Sequence, residues 1–181
     1  QALVYDTEST ITKNQFRYTG YLFTGWNTEA DGSGTSYTDG QIVKNLLTGQ
    51  DKTLTLYAQW TPVTYTMRFH SNNGADHGRE QTLTYDTETT LSANSFTKEG
   101  YMFLNWSTEA DGSGDVYMNE GTVMNLTTKD GTVIDLYAQW GTIKYHVAFE
   151  KNADGVTGTM TTATFGYDQS QRLPANGYVR S

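Results

Sequence analysis

The chain has 181 residues, enough for one or two domains with a real core, and carries 20 acidic against 12 basic residues, a formal net charge of -8. That balance repels phosphate backbones and anionic lipid, so neither nucleic acid nor direct membrane insertion is expected. The absence of cysteine removes disulfides, thiol catalysis and thiolate metal sites together. No stretch approaches the roughly 18 apolar residues that span a bilayer, and the N-terminus lacks the order of a signal peptide. With 13 Tyr, 7 Phe and 18 Gly against 2 Pro, the composition favours short strands joined by tight turns over long helices.

From the N-terminus onward the chain repeats itself. Tyr5-Asp6-Thr7-Glu8 returns as Tyr85-Asp86-Thr87-Glu88, Gly20-Tyr21 as Gly100-Tyr101, and Trp26 as Trp106. Tyr57-Ala58-Gln59-Trp60 returns as Tyr137-Ala138-Gln139-Trp140, and about half of residues 1–60 are identical to 81–140 without insertion. The pattern then resumes, with Tyr65-Thr66-Met67-Arg68-Phe69 echoed by Tyr145-His146-Val147-Ala148-Phe149 and Tyr85-Asp86 by Tyr167-Asp168. Residues 1–60 therefore read as a partial repeat lacking its first strand, 61–140 as a complete repeat, and 141–181 as the first hairpin of a third. A chain that opens and closes in mid-pattern is expected to be a piece of a longer one.

In the complete copy, Tyr65, Met67 and Phe69 alternate with Thr64, Thr66 and Arg68, the period-two signature of a first strand with one buried face. Ser71-Asn72-Asn73-Gly74 ends it, and a loop through Asp76 and Gly78 leads to a second strand near Gln81–Tyr85. Leu91, Ala93 and Phe96 have the spacing of a short helix within 87–96, stopped by Gly100. Tyr101 to Trp106 is apolar on both alternating sets, which predicts a central strand. Ala110 to Gly114 is a turn, Val116-Tyr117 a brief strand, and Val123 with Leu126 suits one helical turn. Ile134, Leu136, Ala138 and Trp140 form the inward set of the last strand, matched in copy one by Leu54, Leu56, Ala58 and Trp60. The expected class is therefore α+β and strand-rich, in modules of about 80 residues. Its expected core is Trp26, Trp60, Trp106, Trp140, Phe23, Phe103, Tyr21, Tyr101, Leu56 and Leu136.

The succession Gly20-Tyr21-Leu22-Phe23-Thr24-Gly25-Trp26, Asp111-Gly112-Ser113-Gly114 and Leu136-Tyr137-Ala138-Gln139-Trp140 resembles the Listeria–Bacteroides repeat, the family that includes the internalin B-repeat. Copy two departs from the motif by carrying Asn105 where copy one has Gly25. The resemblance covers essentially the whole chain and implies tandem β-grasp, ubiquitin-like modules on exported surface proteins, mostly of Gram-positive bacteria, acting as spacers or adhesive elements. It supplies no catalytic residues, and a cysteine-free chain suits a bacterial cell surface.

Residues with potential chemistry point the same way. His70, His77 and His146 have no partner at metal-ligand spacing. Asp31-Gly32-Ser33-Gly34 and its copy lack the alternating ligands and distal Glu of a calcium loop. Glu29 and Asp31 lie in a polar loop with nothing to drive their pKa values apart. No cofactor is expected, and no enzyme. The expected partners are neighbouring repeats, or other copies of the chain through strand donation by Tyr145, Val147 and Phe149 into the sheet edge of copy one. The alternative partner is a host glycan or glycoprotein meeting exposed aromatics, with Tyr57 and Tyr137 as the contact candidates.

Overall fold

The computed structural model describes residues 1–75 and 77–180; Asp76, placed by the sequence in the loop after the first strand, lies outside the described residues, as does Ser181. Copy one contributes β1 (Ser9–Thr10), β2 (Tyr21–Asn27), β3 (Ser36–Tyr37), β4 (Ile42–Val43) and β5 (Tyr57–Pro62). The complete copy holds β6 (Thr64–His70), β7 (Gly78–Thr84), β8 (Thr89–Thr90), β9 (Tyr101–Ser107), β10 (Val116–Tyr117), β11 (Thr122–Val123) and β12 (Val133–Thr142). The third supplies β13 (Lys144–Val147), β14 (Val156–Gly158), β15 (Ala163–Gly166) and β16 (Tyr178–Arg180).

The complete copy forms a five-stranded sheet ordered β10-β9-β12-β6-β7, and copy one a three-stranded sheet ordered β3-β2-β5. Small ribbons pair β1 with β4, β8 with β11, β13 with β15 and β14 with β16. The central strand is β12 rather than the expected 101–106 segment, because β6 and β7 extend the sheet on its far side. Nor is β9 covered on both faces, since Met102 and Leu104 are 56% and 48% exposed.

The α+β expectation is overturned: the described residues contain no helix. Neither segment expected to be helical forms a helix; each contributes a two-residue strand, and β8 pairs antiparallel with β11 through Thr122↔Thr90 and Val123↔Thr89. The reasons are local. Thr89, Thr90, Thr122 and Val123 are β-branched and lose rotamer freedom in a helix. Asn94 bonds its own neighbourhood instead, its Oδ1 accepting from the Phe96 amide at 2.9 Å and its Nδ2 donating to the Phe96 carbonyl at 3.1 Å. Asp86 and Asn125 sit at φ 57° and 56°, outside the right-handed helical region. A β-grasp needs a helix across its sheet, so that description is withdrawn as well; the repeats are all-β and sandwich-like.

The chain divides into two compact units, one of Gln1–Met67, Gln81–Thr90 and Thr122–Ile134, the other of Arg68–Glu80, Leu91–Gly121 and Asp135–Ser181. The division falls within β6, β7 and β12 rather than between repeats. Within the first unit, Ile11, Trp26 and Val43 are buried and packed by Phe23, Tyr37, Leu46, Leu56 and Ala58. Tyr65 and Met67, on the inward face of β6, are 1% and 0% exposed. Within the second unit, Trp106 is the hub: Phe69, Phe96 and Phe103 meet it at centroid distances of 4.9, 6.1 and 5.0 Å. Such aromatic packing adds edge interactions to the burial of area. Leu136 and Ala138 of β12 are fully buried in the same unit.

Copy one and the complete copy share their turn chemistry. Asp31 Oδ1 accepts from the Ser33 amide at 3.0 Å and its hydroxyl at 2.6 Å, and Asp111 binds Ser113 with the same two distances. The Ser33 hydroxyl, then its amide, hold the Asp31 carboxyl below the usual carboxylate range, and Ser113 does the same for Asp111. These carboxylates are engaged in closing a hairpin turn.

Candidate functional site

The solvent face of the complete repeat carries its most organised polar group. Arg68 and His70 stand two apart on β6 and so share a face, with Asp135 on the neighbouring strand β12. Asp135 Oδ1 accepts from Arg68 Nε at 2.6 Å, Asp135 Oδ2 from Arg68 Nη2 at 3.0 Å, and His70 Nε2 lies 2.7 Å from Asp135 Oδ1. The two-pronged Arg68 bond holds the Asp135 carboxyl low, burial opposes it, and the His70 bond adds to it. His70 also stacks on Tyr137 at 4.6 Å and 14°. Tyr137 is thus half-buried with one ring face taken, whereas Tyr57, its counterpart in copy one, is 42% exposed. Arg68 and Asp135 were not singled out from the sequence; a charge pair on adjacent strands is visible only once strand order is known.

In copy one an open groove of about 990 Å³ is lined by Ile11, Trp26, Val43, Leu46, Leu54 and Leu56, among others. It lies on copy one, whose sheet ends at β5, and among the described residues β5 pairs with β2 alone. In the complete repeat the equivalent strand, β12, has β6 on that flank. A second cleft of about 520 Å³ is bordered by Phe16, Tyr18, Tyr21, Phe23 and Trp60. Tyr18 stacks on Tyr21 at 4.1 Å and 2°, and Trp60 meets Tyr18 and Phe23 edge-on at 5.9 and 5.5 Å. Copy two replaces Tyr18 by Lys98, whose Nζ lies 4.5 Å from the Tyr101 ring centroid. Tyr18 escaped the sequence reading because it is not repeated.

Of the expected core residues, Trp26, Trp106 and Leu136 are 9%, 1% and 0% exposed, while Tyr21, Phe23, Leu56, Trp60, Tyr101, Phe103 and Trp140 are half-buried. The expected strand donors lie together in the third copy. Tyr145 is 49% exposed and stacks on Phe165 at 5.7 Å, and Val147 pairs with Ala163. Phe149 lies just past β13, its carbonyl accepting from Tyr178 Oη at 2.6 Å. The histidines are scattered: His77 accepts from the Ser71 amide through its backbone, and His146 Nδ1 lies 3.0 Å from Thr164 Oγ1. Among the described residues no group of three His, Asp or Glu side chains is placed to hold a metal, and no helix is long and apolar enough to cross a membrane.

Recurring short strands, matching turns and aromatic centres define an all-β tandem-repeat protein. The chain belongs to the Listeria-Bacteroides repeat domain family, whose model matches residues 1–59 and again 65–139. It is 38% identical over 160 residues, 86% of its own length, to a protein of Evansella cellulosilytica that carries the name of a Gly-rich membrane protein. A second protein of that organism, named as a membrane protein, is 35% identical over 91 residues, 48% of this chain. The chain spans only 18% and 13% of those two relatives. No solved structure matches it.

Proposed function

We propose that this chain is a non-catalytic tandem-repeat segment of an exported, wall-attached bacterial surface protein, serving as spacer and adhesion element. The carrying observation is the passage between repeats: β5 gives way to β6 through Val63 alone, and β12 to β13 through Ile143 alone. A spacer made of repeats needs connections without slack, and a one-residue passage supplies none to spare. Family membership and relatives named as membrane proteins support surface placement. In the parent protein, residues 61–140 can be deleted and an epitope placed beyond the repeats. Accessibility of the epitope to antibody on intact cells is expected to fall, with adherence falling alongside. An epitope that antibody reaches only after lysis would overturn the surface reading.

Strand complementation between copies is the second element of the reading. The third copy offers β13 paired with β15, and copy one offers the groove and the flank of β5 that no strand among the described residues occupies. Such a union would follow the pattern of the β6–β7 hairpin beside β12, with Tyr145, Val147 and Phe149 in the roles of Tyr65, Met67 and Phe69. Sedimentation over a hundredfold concentration range tests it: association abolished by Tyr145→Asp is expected, and a monomer at all concentrations would overturn it.

The aromatic cleft at Tyr18 and Trp60 favours glycan contact as an alternative, since stacked and edge-on rings are how proteins meet sugar faces. Saturable quenching of tryptophan fluorescence by an oligosaccharide, lost in Tyr18→Ala, would support it. An unchanged signal across a glycan panel would remove it.

A further inference from the structure

Val63, the single residue between β5 and β6, is 2% exposed and bonded on both sides. Its amide donates to the Gly20 carbonyl of copy one at 2.9 Å, and its carbonyl accepts from the Tyr85 amide of the complete copy at 3.0 Å. Gly20 sits at φ 78°, and a side-chain carbon there would collide with the Tyr85 ring. Glycine is therefore required twice over, for its backbone conformation and for the close approach of the next repeat's tyrosine. Beside it, Tyr21 meets Tyr85 edge-on at 6.0 Å and donates from its hydroxyl to Asp86 Oδ2 at 2.9 Å.

The second passage repeats the design with different residues. The Ile143 amide donates to the Gly100 carbonyl at 3.0 Å, and the Tyr167 amide to the Ile143 carbonyl at 2.9 Å. Gly100 is at φ 75°, a carbon there would collide with the Tyr167 ring, and Tyr101 meets Tyr167 edge-on at 6.0 Å. The receiving turn is the same each time, with Asp86 and Asp168 at φ 57° and 53°. Asp6 has the same conformation at φ 58° and takes the same short bond, 2.6 Å from its amide to an Asn side chain, as Asp86 does. Tyr5 beside it is 60% exposed.

We propose that the Gly–Tyr turn of each repeat and the Tyr–Asp turn of the following repeat form a specific docking interface that couples the folding of neighbours. The recognised partner is the next copy of the module, read at both passages through a ring seated on a bare glycine and, at the first, also through the Tyr21 hydroxyl bonded to the Asp86 carboxylate. Neighbouring repeats consequently unfold together, as expected where stability is shared between modules and their interfaces.

A double-mutant cycle on the full chain tests this. Tyr21→Phe with Asp86→Asn is expected to give a coupling of about threefold to tenfold in the unfolding equilibrium constant. Tyr21→Phe with Asp6→Asn is expected to be additive. Tyr85→Ala is expected to speed hydrogen exchange at the Val63 amide by at least about tenfold relative to the amides of β9, whereas Tyr5→Ala leaves it unchanged. Additivity at Tyr21 and Asp86, or an unchanged Val63 amide in Tyr85→Ala, would overturn the proposal. Should Tyr85→Ala fail to fold, Tyr85→Leu keeps apolar volume while removing the ring, and the same amide is read.

Discussion

Trp140 Nε1 donates to the Ser71 carbonyl at 2.9 Å, tying the end of the last strand to the end of the first. Ser71 is itself 1% exposed, and its hydroxyl donates to Asn73 Oδ1 and to the Ala75 carbonyl, each at 2.8 Å. The indole thus spends its polar edge on fastening a loop while its ring packs on Phe103 at 5.7 Å. Trp140→Phe keeps an aromatic ring and loses the bond, so a cost of about 1 kcal/mol is expected in urea denaturation. A cost near zero would mean the loop is held without it.

Asn27, 1% exposed, satisfies a whole turn. Its Nδ2 donates to the carbonyls of Gly32 and Gly34 and to Ser36 Oγ at 3.0, 3.2 and 3.0 Å. Its Oδ1 accepts from the amides of Glu29 and Gly34 at 2.8 and 3.0 Å. Asn27→Ala leaves several of these groups without partners and is expected to cost about 2–4 kcal/mol. Asn27→Ser imitates copy two, where Ser107 Oγ accepts from the Glu109 amide at 3.3 Å, and is expected to cost less. Thermal melts of the three proteins would order them.

At alkaline pH the Tyr21 phenol becomes informative. Its bond to Asp86 is the largest cause of a pKa pushed from 10.0 up to about 12. The unfolded chain then loses this proton before the folded one does, so the contribution to stability is whole below pH 10 and is lost as pH rises toward about 12. Absorbance titration at the phenolate band is expected to show Tyr21 titrating late, beside Tyr167, which Glu99 and then Asp168 also push up; Asp86→Asn is expected to bring Tyr21 alone back toward the ordinary value. Coincident titration in both proteins would contradict the bond.

Asp135 has the opposite sign. Arg68, then His70, hold its carboxyl below 3.8, so its contribution is present above that pH and disappears as pH falls through the lower folded value. Asp135→Asn is expected to destabilise by about 1 kcal/mol at neutral pH and to flatten the acid limb of the stability profile. Equal acid sensitivity of both proteins would assign that limb to other carboxylates.

Copy two's Asn105 also bears on how far repeats resemble one another. Gly25 lies at φ 149° beside a register shift between Phe23 and Gly25, close to the Tyr37 carbonyl. Asn105 stands at the same place without a positive φ, and its Oδ1 is buried with no hydrogen-bond partner. Asn105→Ala is accordingly expected to be neutral or slightly stabilising, which a urea midpoint would show.

Much of this molecule was legible in its residues because its information is periodic. Identity at a constant offset marked the repeats, the Tyr65, Met67 and Phe69 alternation marked the strand, and Asp-Gly-Ser-Gly marked the turn. These signals are local, and local chemistry suffices to produce them. The helical expectation fails for a related reason. Leu91 and Phe96, or Val123 and Leu126, have helical spacing, but the same spacing serves an extended segment once Thr89 and Thr90 find Val123 and Thr122 across a ribbon. That pairing joins residues more than thirty apart, and no window of sequence contains it.

The sequence by itself determined that an apolar pattern recurs and that glycine stands at Gly20 and Gly100. Only the tertiary structure decided what those glycines are for, by bringing the rings of Tyr85 and Tyr167 against them. It likewise decided that Arg68 and His70 share one carboxylate, Asp135. Spacing along a chain fixes which side chains can share a face, whereas contacts between distant segments depend on which strand edges pair, and that is settled by the free energy of the whole fold.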